Sequence, residues 1–272
     1  MSSPVSPHRL DRIAALRAEV DAVLGVARTL TEQEWHTPSA AAGWRVQDVV
    51  AHMAAACHGS FTPWLLNVMR SDAVERSNDA DADRRRDWSP ERVLAEYARW
   101  SPRFVRMQAV SARLPGAWSL RVRLGELGSF PLPLFASAFV FDHWTHLAHD
   151  IAPALGRPAP ATDANRMGVV VEWILAGLEQ MSRATMGWLD RPVGLTLDGP
   201  GGGDWLITPA GGGLLRVRPV GPGDAEPVAR IAGRTDELPV WSTGRRAWSE
   251  CDLRPHGDSD YATRFLDAVT VV

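Results

Sequence analysis

The spacing of apolar residues along the chain changes near Asp190, and this change limits the folds that the sequence can adopt. Before it, apolar residues recur every three or four positions in five long segments, which is the spacing of amphipathic helices. After it, short apolar runs alternate with clusters of glycine, a pattern typical of strands joined by tight turns. We therefore predict a helical domain over residues 1–190 and a small α+β domain over residues 191–272.

Each domain can be divided further by its local patterns. The clearest helix start is Ser89-Pro90-Glu91, where an N-cap residue, a proline suited to the first turn and an acid near the positive end of the helix dipole follow one another. The polar stretch 71–88 before it is predicted to be a solvated loop or a frayed helix end. The predicted helices of the first domain span residues 9–30, 45–69 (after Gly43-Trp44), 89–114, 134–155 and 163–188. The second domain is predicted to hold a meander of strands at 193–197, 205–208, 214–217 and 228–231, then helical segments at 235–243 and 259–269.

The composition narrows the classes of partner and compartment. A formal net charge of −3 gives no indication of binding to nucleic acid or to an anionic membrane surface. No apolar run approaches the roughly 20 residues that span a bilayer, and no signal-peptide pattern opens the chain. The two cysteines, Cys57 and Cys251, are too few for a disulfide scaffold and suit a reducing compartment. We therefore expect a cytoplasmic protein with small-molecule partners, and the sequence leaves its oligomeric state open.

The densest group of chemically active residues lies in the fourth predicted helix. Asp142, His146 and His149 are spaced at i, i+4 and i+7, which places them on one stripe of an α-helix. A carboxylate and an imidazole one turn apart can bind the same metal ion, and His52 in the second helix can supply a third ligand from a neighbouring helix. Three protein ligands leave one coordination position open, as catalytic metals require. Mixed nitrogen and oxygen ligands suit zinc, with nickel, iron or manganese as alternatives.

A structural interpretation competes with this one. A histidine in an apolar helix is more often a hydrogen-bonded core residue, and a stripe of Asp and His also occurs on solvated helix faces. Asp48, one turn before His52, is expected either to orient that imidazole as a hydrogen-bond acceptor or simply to favour the helix start. His58 lies on another face of the same helix and is left out of the site.

Two segments of the chain carry a resemblance to a known family. Residues 34–39 read Glu-Trp-His-Thr-Pro-Ser, and residues 43–52 read Gly-Trp-Arg-Val-Gln-Asp-Val-Val-Ala-His. Together they resemble the N-terminal motif of the mycothiol-dependent maleylpyruvate isomerase family, whose terminal histidine, here His52, is a metal ligand. Asp142 and His146 match the acid and histidine found further along, although the family acid is often Glu. His149 stands where an Asp is common, with Asp150 one place later.

The resemblance implies a fold, cofactors and site residues. It implies a DinB-like four-helix bundle followed by a small sterol-carrier-like (SCP2-like) α+β domain. It implies that a divalent metal, most simply zinc, is held by His52, Asp142 and His146, and that mycothiol is a co-substrate. Arg245 is the candidate for binding an anionic group of substrate or cofactor, because a guanidinium holds a carboxylate with two hydrogen bonds. His149 is a second candidate catalytic residue.

Three functions from different classes are compatible with these residues. The first is a metal-dependent enzyme that activates mycothiol as a thiolate for addition to a small electrophile, as an S-transferase or a cis–trans isomerase. The second is a metal-dependent hydrolase on the same scaffold, which would need no added thiol. The third is a non-catalytic protein that binds an apolar ligand. We expect the first, while the identity of the electrophile cannot be inferred from the sequence.

Overall fold

A computed structural model describes residues 10–63 and 80–271 and divides the chain into two compact units. One unit runs from Arg12 to Ala161, and the other combines Leu10 and Asp11 with the chain from Thr162 onward. The first is largely helical, and the second contains a sheet and several helices. The predicted fold class, a helical N-terminal part followed by an α+β part, is confirmed.

In its described residues, 12–63 and 80–161, the helical unit shows four long helices and a small hairpin. Its helices are α1 (Arg12–Ala27), the short α2 (Glu32–His36), α3 (Val46–Gly59), α4 (Pro90–Ser111) and α5 (Leu134–Thr145). A π-helical turn, His146–Ile151, continues α5 directly. The hairpin consists of β1 (Arg121–Leu124) and β2 (Gly128–Pro131), paired antiparallel within the connector between α4 and α5.

The four long helices share one core. Helix α3 packs against α4, and α1 packs against both α4 and α5. The fully or almost fully buried side chains come from all four helices and include Leu16, Val20, Met53, Tyr97, Phe104 and Trp144. Helix α4 begins as predicted, with the Ser89 hydroxyl accepting a hydrogen bond from the Arg92 N–H and Pro90 in the first turn.

The second unit is built around a five-stranded sheet. Its elements are α6 (Ala164–Leu178), β3 (Val193–Asp198), β4 (Gly203–Gly211), β5 (Leu214–Pro219), β6 (Ala229–Arg234), α7 (Leu238–Ser242), β7 (Arg254–Gly257) and α8 (Ser259–Ala268). The strand order is β5-β4-β3-β6-β7. Strand β3 pairs antiparallel with β4 but parallel with β6, so the predicted meander holds only for β3 to β5.

The end of α6 shows why residues 162–190 group with the sheet. The predicted helix was to reach residue 188, but α6 ends at Leu178. The carbonyl of the next residue, Glu179, accepts the Leu215 N–H, and its side chain accepts the Val217 N–H. These bonds to β5 tie the helix end to the sheet, whereas the sequence-based boundary lies near residue 190.

Two expectations fall partly outside the described residues, and two elements of the structure were not expected. The second helix is predicted to continue to Met69, but residues 64–79 lie outside the described residues. The same gap contains nine residues of the polar stretch 71–88. Neither the β1–β2 hairpin nor β7 was predicted. Among the described residues, none of the helices is long and apolar enough to cross a membrane.

Candidate metal centre

Three side chains from two helices meet in the helical unit. His52 lies on α3, Asp142 on α5, and His146 at the start of the π-helical turn. The Oδ1 atom of Asp142 is 3.2 Å from His52 Nε2 and 3.5 Å from His146 Nε2. One ligand atom from each residue lies within 4.8 Å of the other two. The structure therefore brings together the three residues that the sequence singled out.

Local structure explains this convergence. Asp142 and His146 are four residues apart, so both project from the same side of the helix. On α3, His52 is almost fully buried among apolar neighbours such as Val49 and Met53, and its ring meets α5 across the bundle. Burial of those neighbours fixes the rotation of α3 and therefore the direction of the imidazole.

The π-helical turn adds a fourth residue that the sequence did not identify. The Ala152 N–H donates to the carbonyl of Leu147, five residues back, so the turn takes up one residue more than an α-helix does. The turn contains Asp150, which lies four residues after His146 and contacts it, whereas His149 lies against Trp144. Asp150 is buried, and its Oδ2 is 2.6 Å from His146 Nδ1. This contact leaves His146 Nε2 facing Asp142.

The charges of the cluster reinforce one another. Burial works to raise the pKa of Asp142, but attraction to His146 and His52 outweighs it and holds that pKa well below its ordinary value. Burial works to lower the pKa of His146, yet Asp142 and Asp150 raise it to about 9. Two carboxylates thus create a negative potential at the imidazoles, an environment that favours a bound cation.

Trp44 forms one side of the cluster. Its ring centroid is 5.2 Å from that of His52 and 6.3 Å from that of His146, with the second pair nearly parallel. Gly43, just before it, has a φ of 81°, a left-handed conformation that glycine adopts without strain. The Gly-Trp pair of the sequence motif therefore places a half-buried indole against both imidazoles.

The remaining predicted residues lie elsewhere. Asp48 does not orient His52, because both of its carboxylate oxygens accept hydrogen bonds from Arg45 at the start of α3. His149 lies beside Trp144, with ring centroids 5.0 Å apart, and is not one of the three clustered residues. Arg245 lies in the other unit, exposed in the turn after α7, where its Nη1 donates to the Thr243 hydroxyl.

The donor set fits a metal ion. Two imidazole nitrogens and a carboxylate oxygen are a common set for a divalent transition metal. Asp142 Oδ1 lies near a nitrogen of each imidazole, at 3.2 and 3.5 Å, and the low pKa of this carboxyl group keeps it ionised. The side chain as a whole keeps 26% of its surface exposed, so the cluster is open to solvent on one side.

Comparisons with known structures identify the fold. The chain is similar to the crystal structure of the mycothiol-dependent maleylpyruvate isomerase, with a TM-score of 0.55, 17% identity, and coverage of 90% of this chain and 91% of that chain. It is also similar to a histidine-to-alanine mutant of that isomerase, with a TM-score of 0.52, 17% identity, and coverage of 87% and 89%. At this identity the likeness shows the fold. A search of curated sequences finds no match.

A family model gives the more specific finding. The model described as the mycothiol maleylpyruvate isomerase N-terminal domain matches residues 16–152, just over half of the 272 residues. This range contains His52, Asp142, His146, Asp150 and Trp44. The chain therefore belongs to the mycothiol maleylpyruvate isomerase family, through its N-terminal domain.

Proposed function

We propose that this chain is a metal-dependent enzyme that activates a low-molecular-weight thiol, mycothiol, for addition to a small electrophilic substrate. The observation that carries the proposal is the cluster of His52, Asp142 and His146, whose ligand atoms lie within 4.8 Å of one another. The matched solved structures, which are titled as mycothiol-dependent isomerases, support the choice of thiol.

His52, Asp142 and His146 would hold the metal, and we propose zinc because two nitrogens and one oxygen suit it. When bound, a divalent metal supplies positive charge that lowers the pKa of a coordinated thiol, so that the reactive thiolate exists at neutral pH. Neither cysteine of the chain replaces that thiol, because Cys57 is fully buried and Cys251 lies in the other unit.

The side chains around the cluster prepare it for this task. Asp150 accepts the Nδ1–H of His146, which fixes the ring and directs Nε2 toward Asp142. Trp44 lies against the imidazole rings on one side and would limit the access of water to them. The exposed part of Asp142 leaves a path by which a small thiol can reach the ligands.

The two proposed outcomes share one first step. The thiolate adds to an electrophilic carbon–carbon double bond. The adduct can then rotate about the carbon–carbon bond, which has become single. Expulsion of sulfur then re-forms the double bond and gives cis–trans isomerisation, whereas protonation of the adduct carbanion with retention of sulfur gives S-transfer. We keep Arg245 and His149 as proposed substrate-binding and catalytic residues, and the cytoplasm as the proposed location.

Metal content and thiol binding test the proposal together. Elemental analysis of wild type should find about one metal per chain, and calorimetry should detect mycothiol binding to that form. His52→Ala and His146→Ala should each lose both properties, since every one of the three ligands is needed. His36→Ala, which removes an exposed histidine of α2, is the matched control and should retain both.

Two results would contradict the proposal. Wild-type protein that has met no chelator and yet contains no metal would exclude a metal-dependent reaction. Turnover of an ester or amide at full rate without any thiol would point to a hydrolase instead.

A further inference from the structure

A further histidine, outside the proposed ligand set, lies directly behind the candidate ligand Asp142. His143 is completely buried, and its Nδ1 is 3.2 Å from Asp142 Oδ2, the carboxylate oxygen that turns away from His52 and His146. Its other nitrogen, Nε2, is 4.0 Å from the Sγ of Cys57 on α3. The proposed reaction uses neither His143 nor Cys57.

The surroundings of His143 make these two contacts important. The ring of Tyr97, also fully buried, lies 5.7 Å away, and that of Phe139 lies 6.0 Å away. An imidazole in such an aromatic environment loses its hydration, which costs free energy unless both nitrogens find partners. Asp142 and Cys57 are the polar groups that the structure places at those nitrogens.

The chemistry of the two partners determines which nitrogen of the His143 imidazole carries the proton. A carboxylate can only accept a hydrogen, so Asp142 favours an N–H at the neighbouring Nδ1. Burial raises the pKa of the Cys57 thiol well above its ordinary value, so its S–H is retained and can face a lone pair at Nε2. The tautomer with the proton on Nδ1 therefore satisfies both contacts at once.

The contact between His143 and Asp142 is electrostatic. The N–H does not point along the line to Oδ2, so the two atoms form no linear hydrogen bond. Attraction between a full negative charge and an N–H dipole still acts at 3.2 Å, and it is strong where water is excluded. It favours the carboxylate orientation in which Oδ1 faces the two ligand imidazoles.

We propose that His143 is a positioning residue, which holds the Asp142 carboxylate in the metal-binding orientation while Cys57 holds His143. This inference rests on the proposed metal site and deepens it. Cys57 and His52 both lie on α3, so the contact also couples the orientation of the carboxylate to the helix that carries the other ligand.

Cobalt(II) titration of the metal-free protein tests this role. In His143→Asn the side-chain amide nitrogen occupies roughly the place of Nδ1, whereas in His143→Gln it occupies roughly that of Nε2. We expect His143→Gln to weaken Co²⁺ binding about 10- to 100-fold, the usual effect of losing such a partner, and to change the visible spectrum of the bound ion. His143→Asn should stay close to wild type in both. Tyr97→Phe, a control in the same core, should alter stability and leave both unchanged.

The outcomes separate the inference from the proposed function. Folded His143→Gln with wild-type affinity and spectrum overturns the inference, and so does an equal loss in His143→Asn. Failure of wild type to bind Co²⁺ overturns both proposals. If His143→Gln does not fold, Cys57→Ala and Cys57→Ser decide: weaker binding in the first with retention in the second supports the inference, and unchanged binding in both overturns it.

Discussion

At the scale of single residues, the contact between His146 and Asp150 determines how one candidate ligand presents itself. The 2.6 Å separation between Nδ1 and Oδ2 is the shortest that the site residues make among the described contacts. A carboxylate at this nitrogen fixes the tautomer, orients the ring and makes Nε2 a better electron donor. The properties of His146 therefore depend on a residue that does not touch the candidate metal position.

Asp150→Asn tests this dependence. Replacing the carboxylate with an amide removes the negative charge that strengthens the imidazole, so metal affinity should fall by about 10- to 100-fold. Competition with a chromophoric chelator measures the change. Asp48→Asn is a matched control, because Asp48 is an equally buried acid of the same unit that pairs with Arg45 instead. Equal losses of affinity in both variants would contradict the role given to Asp150.

The site residues differ in how far the sequence could reveal them. His52, Asp142 and His146 were identified from helical spacing and family resemblance, and the structure clusters them, although metal binding itself stays a prediction. Asp150 was missed because it lies off the stripe when α-helical spacing is counted from Asp142, although its position four residues after His146 could have revealed it. Of the two roles expected for Asp48, the one toward His52 is not seen because Arg45 binds both carboxylate oxygens, and the role at the helix start is the one that the structure shows.

At the scale of elements, an ion cluster joins α3 to α4. Glu96 on α4 accepts two hydrogen bonds from Arg85, at 2.7 and 2.9 Å, and contacts His58 of α3 at 2.7 Å. The glutamate side chain is 8% exposed. Burial alone would raise its pKa, but Arg85 and His58 outweigh burial and lower that pKa below the ordinary 4.5. The cluster therefore stabilises the fold only while Glu96 is ionised.

The stability that Glu96 contributes should fall at low pH. Because the pKa of Glu96 is lower in the folded state, its contribution is complete above about pH 4.5 and is lost as the pH falls through the folded-state value. Glu96→Gln should lower the free energy of unfolding at pH 7 by roughly 3 kcal/mol, since Arg85 is left buried without its partner. Urea unfolding at pH 7 and at pH 3.5 measures both effects.

The difference between wild type and Glu96→Gln should shrink at the lower pH. Glu32→Gln, on the exposed side of α2, should change stability little at either pH. A difference between wild type and Glu96→Gln that stays constant over this range would show that folding does not lower the pKa of Glu96.

Predictability at the element scale follows the strength of the local signal. Helix α4 was predicted from its Ser-Pro-Glu start, and α1 and α5 from apolar spacing. The π-helical turn has no such signal, because it depends on one carbonyl bonding five residues ahead instead of four. The β1–β2 hairpin was missed because its strands have only four residues each and lie in a segment that reads as a connector.

At the scale of the whole molecule, all the candidate ligands lie in the unit from Arg12 to Ala161. A metal bound there would link α3 to α5, which are distant in sequence. A ligand that binds only the folded state raises stability by about 2.7 kcal/mol when its free concentration is about 100 times its dissociation constant. The effect should be concentrated in the unit that holds the ligands.

Hydrogen exchange with and without metal tests this expectation. After treatment with a chelator, amide exchange in α3 and α5 should become faster, and added zinc should restore the protection. Peptides from β3 and β6 should change little, because their hydrogen bonds belong to the other unit. His52→Ala should exchange alike with and without zinc. Uniform changes over the whole chain, or a response in His52→Ala equal to that of wild type, would contradict the assignment.

The two-part architecture could be predicted from the sequence because the spacing of apolar residues and the glycine content change together near residue 190. The parallel pairing of β3 with β6 was not, since it joins strands that are separated by β4 and β5. The grouping of α6 with the sheet was hidden for a similar reason. It depends on hydrogen bonds between Glu179 and the distant strand β5.

The distance along the chain between the candidate ligands also has a consequence for biosynthesis. His52 and Asp142 are 90 positions apart, so during translation the first histidine is made long before its partners. The cluster cannot exist until the chain has been synthesised past His146 and α5 has docked. On the proposed function, a cation therefore cannot guide the early folding of this protein and would be loaded into a nearly finished bundle. The proposal then predicts that cells starved of metal accumulate folded, inactive protein that a later supply of metal restores without new synthesis.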